Sequence, residues 1–438
     1  MAKDCSYSRR AFIRKAGQAS LLAGAIPRRP AKVWANSILG ANERLVLGQI
    51  GCGGRGTYLM RHFMSGGATF AAVCDPDDSQ MQKAREASGW SPEMIKDFRK
   101  LLEHKDIDAV VVATPDHWHA LPTILACQAG KDVYVEKPLS YSVAEGRAMV
   151  EAARHHSRIV QIGTQQRSGE HYHRAVGLLK SGGIGKVSHV RVWNCWNVTY
   201  GENQGRAMDI GNPPDSAPPP GVDYDLWLGP APKRPFNPNR FHWNYIFFWD
   251  YAGGMMTGWT VHHIDIVHWA MGVETPLTVS ASGGKHVVTD ARETPDTMEA
   301  IFDYPCFTMM ASVYHANARP IEGKDYGIAF CGSKGTLVIT REGYEVYPEG
   351  DQTPAVKEGQ TPIDGPHQRE FIGNCKSRKK PFADVETGLK STIPTLIANI
   401  ALKTGRKLHW DAAKESFIND PEADKLLRRD YRKPWKLS

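Results

Sequence analysis

The chain has 438 residues, of which 41% are apolar, and this is enough to build two or three packed domains. Its formal charge of +7 comes from residues 1–35, which hold eight lysines and arginines against one aspartate, so the remainder is formally neutral. A nucleic-acid-binding surface is therefore not indicated. Beyond the N-terminus, no stretch is long and apolar enough to span a bilayer.

The N-terminal segment has the features of an export signal. The run Ser8-Arg9-Arg10-Ala11-Phe12-Ile13-Arg14-Lys15 precedes a small, weakly apolar stretch at 16–26. Paired arginines with a phenylalanine two positions on resemble a twin-arginine signal. The alternative is a basic amphipathic helix or a cytosolic tail. We expect residues 1–35 to be the signal segment, the twin-arginine export machinery to be a partner, and the protein to be periplasmic.

Alternating strands and helices are predicted from residue 44 to about 165. The predicted strands are 45–50, 68–74, 109–113, 133–136 and 159–163. This alternation is typical of a parallel, doubly wound sheet. Residues 203–239, rich in Pro, Gly and Asn, read as a long surface excursion. The short β-prone runs at 187–194 and within 278–347 predict a second domain with an open, mostly antiparallel sheet, followed by C-terminal helices. The fold class is therefore α/β.

A glycine-rich turn follows the first predicted strand. Gly51, Gly53 and Gly56 have a spacing that gives a tight turn, a close approach of backbone to phosphate, and close packing of the next helix on the strand. Gly54 and Arg55 lie in the same turn, where the N-terminus of the helix faces a diphosphate. The sequence predicts a bound dinucleotide.

An aspartate ends the second predicted strand, about twenty residues beyond the glycines. There the Asp75 carboxylate would accept hydrogen bonds from the ribose hydroxyls of an adenosine. Asp77 and Asp78 follow and would repel a ribose phosphate, so NAD is favoured over NADP. The alternative is that Asp75 is a helix cap or a turn residue.

Two further motifs follow the third and fourth predicted strands. The first is Thr114-Pro115-Asp116-His117-Trp118-His119, and the second is Glu136-Lys137-Pro138. Ligands of open α/β sheets bind at the carboxyl ends of the strands. An ammonium at Lys137 would lower the pKa of a bound hydroxyl or stabilise an alkoxide. The alternative is a surface lysine that starts a helix.

These motifs, in this order, resemble the Gfo/Idh/MocA family, which includes glucose-fructose oxidoreductase and inositol dehydrogenase. The resemblance continues through residues 224–232, 253–272 and 383–388, and so covers nearly all of the chain after residue 40. It implies an NAD(P)-binding Rossmann domain at 40–165. It also implies an α+β domain at 166–438 that binds substrate and often mediates oligomers, so we expect a homo-oligomer.

The resemblance also implies roles for individual residues. Lys137 matches the family's catalytic lysine, and His262 matches the histidine that typically accepts a proton. Cofactor contacts are implied for Thr114, Pro115, His119 and Glu136, with His119 near the nicotinamide ribose. Many family dehydrogenases place an aspartate four residues before the histidine, where this chain has Gly258. Either His262 works with Lys137 alone, or Asp265 or His263 takes part, or the chemistry differs from alcohol oxidation.

A histidine cluster surrounds the matched position. By helical spacing, His262, Asp265 and His268 lie near one face, where they could ligate a metal. The alternative, which we prefer, is that His268 packs in the core and that no metal is bound. Eight cysteines without a Cys-x-x-Cys pair also argue against a structural zinc site. For substrate contacts the candidates are Arg167, Trp259 and His263, with Asp265 a candidate catalytic residue.

The predicted function is oxidation of a hydroxyl on a sugar, polyol or cyclitol, with NAD as cofactor. If the protein is exported, the cofactor has to stay tightly bound and be regenerated in place. One alternative is a redox-neutral, NAD-dependent glycosidase or lyase that oxidises its sugar transiently. Another is a non-catalytic sugar-binding sensor.

Overall fold

The computed structural model describes residues 44–197 and 209–437, together with the backbone of residues 202–203 and 206–207. The expected signal segment, residues 1–35, lies outside the described residues, so export and a periplasmic location stay predictions. Within the described part of the chain, every helix is too short or too polar to cross a membrane.

Six short strands form a parallel sheet. They are β1 Val46–Ile50, β2 Thr69–Cys74, β3 Glu93–Ile95, β4 Ala109–Val112, β5 Asp132–Val135 and β6 Val160–Ile162. They lie in the order β3-β2-β1-β4-β5-β6, which is doubly wound. Strands β4 and β5 are buried along their whole length, because helices cover both faces of the sheet. The predicted parallel sheet is confirmed, with β3 as an additional strand at its edge.

The helices of this half alternate with the strands. They are α1 Gly54–Ser65, α2 Asp78–Ser88, α3 Phe98–Leu102, α4 Ala120–Gln128, α5 Val143–His155 and α6 Glu170–Lys180. The Asp77 side chain caps α2 by accepting from Ser79 N at 2.8 Å. In contrast, no side chain caps α1 at Gly53. The first backbone N–H groups of α1 are therefore left for a ligand.

A second, mixed sheet fills the C-terminal half. Its strands are β7 Val187–Cys195, β10 Thr278–Gly284, β11 Thr297–Asp303, β12 Thr308–Tyr314, β13 Tyr326–Gly332, β14 Gly335–Thr340, β15 Gly343–Pro348, β16 Val356–Gly359, β17 Leu408–Asp411 and β18 Ser416–Phe417; β8 Glu202–Asn203 and β9 Arg206–Ala207 form a separate pair. Their order is β16-β15-β14-β13-β7-β12-β11-β10-β17-β18. Only the β7–β12 pair is parallel among these described neighbours, so the predicted, mostly antiparallel sheet is confirmed.

The remaining helices and the 3-10 turns are distributed over both halves of the protein. The helices are α7 Tyr224–Leu228, α8 Gly254–Gly258, α9 Thr260–Met271, α10 Asp364–Ser377, α11 Val385–Thr404 and α12 Pro421–Lys425; the 3-10 turns are Asp116–Trp118, Gln165–Ser168, Pro238–Arg240 and His242–Phe247. Helix α9 contacts β7, α11 and α6, and nearly all of its residues are buried. Any functional side chain on α9 is therefore fixed by packing on several sides.

The excursion at 203–239 does more than run over the surface. Val222 forms a β-bridge with Asp77, and the Asp223 N–H donates to the Pro76 carbonyl at 2.8 Å. Further along, His242 lies 3.2 Å from the Asp77 carboxylate. The excursion therefore holds the loop after β2, which carries Asp75.

Candidate active site

A cavity of about 630 Å³ lies at the carboxyl edge of the parallel sheet. The ends of β1, β2, β4 and β5 form one side of it, and residues 242–262 form much of the other. The predicted residues that line it are Gly51, Gly53, Gly54, Arg55, Asp75, Thr114, Pro115, His119, Glu136, Lys137, Trp259 and His262. A second cavity, of about 500 Å³, opens at the opposite edge of the sheet and contains none of the predicted site residues.

The glycine turn has the steric properties of a diphosphate cradle. Gly51 has φ +90°, and a Cβ there would lie 2.5 Å from the Ala113 carbonyl oxygen. A Cβ on Gly56 would lie 2.0 Å from the Gly51 carbonyl oxygen, whereas one on Gly53 would meet nothing within 4 Å. Gly56 lies outside the cavity lining and serves to pack α1 on β1. The open space at Gly53, next to the uncapped start of α1, fits the diphosphate of a dinucleotide.

The Asp75 carboxylate lies at the other end of the cradle. It accepts from Cys52 N at 2.8 Å and from Asp77 N at 3.0 Å, so it also fixes the turn in which it sits. Burial raises the pKa of Asp75 to about 6. The Asp78 carboxylate forms an ion pair with Lys96 Nζ at 3.0 Å. Since Asp77 is the helix cap, Asp75 is the carboxylate of this run that faces the cavity.

Lys137 connects the two halves of the cavity. Its Nζ donates to the Gly258 carbonyl oxygen at 2.7 Å. Burial lowers the pKa of Lys137, while the carboxylates of Glu136 and Asp116 oppose that shift. Glu136 is in turn held by Arg55 at 2.7 Å. The lysine thus lies where a bound hydroxyl can reach it, with its ammonium fixed from the opposite domain.

At position 258, where the resemblance implies an aspartate, a side chain would press on the buried Ile246. A Cβ at this position would lie 2.4 Å from Ile246 Cδ1. Ile246 belongs to the 3-10 turn 242–247 and is itself buried. At this position Lys137 contacts a backbone carbonyl and not a side-chain carboxylate.

Substituting Gly258→Asp is expected to lower the free energy of unfolding by about 1–3 kcal/mol, because the new side chain overpacks against Ile246. Urea unfolding followed by circular dichroism measures this loss. The double variant Gly258→Asp/Ile246→Ala is expected to recover part of it. An unchanged free energy of unfolding in the single variant would show that Ile246 and the 3-10 turn 242–247 move aside without destabilising the protein.

His262 lines the cavity from the first turn of α9. The residue is 2% exposed, and its Nδ1 has no hydrogen-bond partner among the described residues. Its ring meets Trp259 edge-on at 5.8 Å. Burial lowers the pKa of His262 well below its ordinary value, and the charges of Arg341 and Lys137 lower it further. The imidazole is therefore neutral near pH 7 and able to accept a proton.

Three residues predicted to contact substrate or take part in catalysis, Arg167, His263 and Asp265, also lie outside the cavity lining. Asp265 accepts hydrogen bonds from Arg167 Nε at 2.6 Å and from the Ser391 hydroxyl at 2.6 Å. The charge and hydrogen-bonding capacity of Asp265 are therefore used within the core. The His263 ring stacks on Tyr326 with 6.0 Å between centroids, and burial lowers its pKa to about 3. Asp265, Arg167 and His263 fix α9 in place and do not face the site.

His119 lines the cavity, but both of its ring nitrogens face protein carbonyls. Nδ1 is 2.7 Å from the Pro138 oxygen, and Nε2 is 3.0 Å from the Thr114 oxygen. The ring thereby ties the ends of β4 and β5 together. Contact with a nicotinamide ribose would use the ring's faces and edges and not a free nitrogen.

Sequence reasoning missed several polar residues of the cavity, among them Asp116, Tyr245 and Arg341. The Tyr245 hydroxyl donates to Asp116 Oδ1 at 2.9 Å. Burial raises the pKa of Asp116, although the neighbouring His119 and Lys137 oppose the shift. Asp116 lies within the quoted run after the third predicted strand, so its position was a usable signal. Nothing in the sequence marks Tyr245 or Arg341.

No group of three or more His, Cys, Asp or Glu side chains within the described ranges is arranged to hold a metal ion. His268 is fully buried and its Nε2 lies 2.7 Å from the Tyr304 hydroxyl. These three side chains have different neighbours: His262 faces the cavity, Asp265 pairs with Arg167, and His268 contacts Tyr304. They do not converge on one point as metal ligands would.

Comparison with known proteins matches two family models to the chain. Residues 46–164 match the oxidoreductase family with an NAD-binding Rossmann fold, and residues 209–437 match the C-terminal alpha/beta domain of the same family. An inositol 2-dehydrogenase of Rubrobacter xylanophilus is 34% identical to this chain over the aligned region. That region is 35% of this chain and 45% of the relative's length, so the match spans less than half of that relative. A myo-inositol 2-dehydrogenase of Thermotoga maritima is 24% identical over 66% of this chain and 74% of its own.

Among solved structures, scyllo-inositol dehydrogenase from Lactobacillus casei, with bound NAD(H) and scyllo-inositol, superposes with a TM-score of 0.60. It is 17% identical and covers 84% of this chain and 99% of its own, which shows a shared fold. The two family matches together span the glycine cradle, Lys137 and His262. The chain belongs to the Gfo/Idh/MocA family of NAD-binding oxidoreductases.

Proposed function

We propose that this protein oxidises a hydroxyl group of a sugar, polyol or cyclitol, using NAD. The observation that supports this most is that Lys137 and the neutral His262 line the same cavity as the glycine cradle and Asp75. NAD bound in that cradle supplies the hydride acceptor. The inositol dehydrogenases among the relatives support a polyhydroxylated substrate.

The two side chains have complementary parts in handling the hydroxyl proton. We assign His262 as the proton acceptor, since burial and nearby cations keep its ring unprotonated beforehand. One N–H of the Lys137 ammonium is used by the Gly258 carbonyl, which leaves its other N–H groups for the substrate oxygen. That contact stabilises the alkoxide character that develops as the proton leaves.

Asp116 supplies the negative charge that is absent at position 258. It is buried, its carboxylate raises the pKa of Lys137 together with that of Glu136, which acts more strongly, and Tyr245 donates to it from the 3-10 turn 242–247. We infer that Asp116 helps Glu136 to keep Lys137 protonated in a buried site where desolvation would otherwise favour the neutral amine. Asp116 is thus a positioning residue that acts through the lysine.

The variant Asp116→Asn is expected to shift the alkaline limb of the kcat–pH profile to lower pH. Without the carboxylate the pKa of Lys137 falls further, so the ammonium is lost earlier as the pH rises. Tyr245→Phe, which retains the carboxylate, serves as the control for loss of packing, and its limb is expected to move less. An alkaline limb that stays in place or moves to higher pH would contradict this role.

The proposed function is tested by purifying the protein and screening aldoses, alditols and cyclitols for reduction of NAD, with mass spectrometry to identify any co-purified nucleotide. Reduction by at least one polyhydroxylated compound supports the proposal. Glycoside cleavage without net NAD reduction would favour the redox-neutral alternative. Binding of NAD with no chemistry on any of these compounds would favour the sensor.

A further inference from the structure

Two of the cations that line the cavity, Lys137 and Arg341, have no ion pair among the residues described. Four cationic side chains line the cavity: Arg55, Lys96, Lys137 and Arg341. Arg55 pairs with Glu136 at 2.7 Å. Lys96 pairs with Asp78 at 3.0 Å. Lys137 and Arg341 form no ion pair with a described carboxylate. Lys137 donates to the Gly258 carbonyl, and Arg341 interacts with the charge of the neighbouring Glu342 without a direct contact.

Arg341 is held in place by an aromatic ring and an amide and not by an ion pair. It sits between β14 and β15, with its guanidinium carbon 4.7 Å from the centre of the Trp259 ring. Its Nε lies 3.3 Å from the side-chain oxygen of Gln166 once that amide is oriented to satisfy its neighbours. The adjacent Glu342 is occupied by the Tyr326 hydroxyl at 2.6 Å. Stacking on an aromatic face leaves the edge of a guanidinium free for a planar anion.

Arg341 adds a positive charge beside His262, where the charge of Lys137 is already opposed by Glu136 and Asp116. Arg341 and Lys137 both lie close enough to His262 to depress its pKa. Arg341 lies with Trp259 and His262 in the second domain, and its charge also acts on Tyr58 of α1. A partly buried cation without a counterion is unfavourable, and a carboxylate matches the two-pronged geometry of a guanidinium.

We propose that the substrate is a sugar acid, whose carboxylate is bound by Arg341 while a ring hydroxyl lies between Lys137 and His262. This inference rests on the proposed function and names the substrate class of the same site. It assigns Arg341 as the specificity-determining residue. Neutral sugars of the same ring geometry would lack the partner that this cation requires.

The test compares acids with the neutral sugars that differ only at one carbon. Glucuronate is paired with glucose and galacturonate with galactose, and the methyl ester of glucuronate serves as an uncharged form of the acid. For at least one pair, kcat/KM for NAD reduction is expected to be about 30-fold or more higher for the acid. Arg341→Gln is expected to raise KM for that acid to a similar degree and to leave kcat within a few-fold. Arg406→Gln, at an exposed arginine outside the cavity, is the matched control.

The outcomes separate this inference from the proposed function. Neutral sugars oxidised as well as their acids, or an acid preference that survives Arg341→Gln, would overturn the inference and leave the proposed function standing. If no sugar reduces NAD, calorimetry of glucuronate and galacturonate on the NADH-loaded protein decides. Binding that disappears in Arg341→Gln supports the sugar-acid site although the dehydrogenase proposal fails. No binding, or a preference for glucose 6-phosphate over both acids, overturns the inference.

Discussion

Replacing Lys137 by methionine is expected to lower kcat for hydroxyl oxidation by about 10³-fold, while the Kd for NAD changes little. Methionine retains much of the lysine's length and apolar stem but removes the ammonium that stabilises the developing alkoxide. The hydrogen bond from Lys137 Nζ to the Gly258 carbonyl is lost as well, and this loss can also weaken substrate binding. The effect on the chemical step is therefore taken from kcat, which is measured at saturating substrate. Steady-state kinetics of NAD reduction gives kcat, and calorimetry gives the Kd for NAD.

A matched control is available at Lys131, another buried lysine whose ammonium donates to two carbonyls, those of His104 at 2.6 Å and Ile107 at 2.9 Å. It borders the cavity at the opposite edge of the parallel sheet. Lys131→Met is expected to reduce stability without changing kcat per folded molecule. A Lys137→Met protein that retains kcat within tenfold of the original would remove the lysine from the chemistry.

The second large effect is expected from Gly53→Val, which should weaken NAD binding by about 100-fold or more. A Cβ at Gly53 meets nothing within 4 Å, so the folded protein tolerates the side chain. The added methyl groups would occupy the space beside the uncapped N-terminus of α1, where the diphosphate has to approach the backbone. Calorimetric titration with NAD measures the change.

Gly373→Val serves as the control, since a Cβ at Gly373 on α10 also meets no atom within 4 Å and Gly373 lies outside the cavity lining. Its Kd for NAD is expected to equal that of the original protein. Urea unfolding of both variants tests whether they fold. If Gly53→Val folds and binds NAD with unchanged affinity, the glycine turn is not the diphosphate site.

The parallel sheet was predictable because its central strands are buried on both faces and so read as continuous apolar runs, as in 109–113. Strand β3, Glu93–Ile95, was missed because it has three residues at an edge and carries no such run. The excursion at 203–239 was read as surface chain because of its Pro and Gly content. Its bridge from Val222 to Asp77 depends on tertiary packing, which composition does not encode.

The candidate site was predictable where residues directly follow a strand. Asp75 and Lys137 belong to this class, because the carboxyl ends of parallel strands meet at one edge. Asp265 was assigned to the site because it is one turn from His262, but its partner Arg167 lies 98 residues away in sequence and draws it into the core. Tyr245 reaches Asp116 across 129 residues. Such contacts are set by the packing of the two domains and leave no local pattern.

The most direct test of the central claim follows the hydrogen that leaves the substrate. A sugar or cyclitol that the protein oxidises is prepared with deuterium on the carbon of the reacting hydroxyl, and a single turnover is run with the NAD-loaded protein. Mass spectrometry of the cofactor is expected to show one deuterium in the reduced nicotinamide, and none in the Lys137→Met protein over the same time. Reduced nicotinamide without deuterium, or oxidised product at the original rate in Lys137→Met, would contradict hydride transfer at this site.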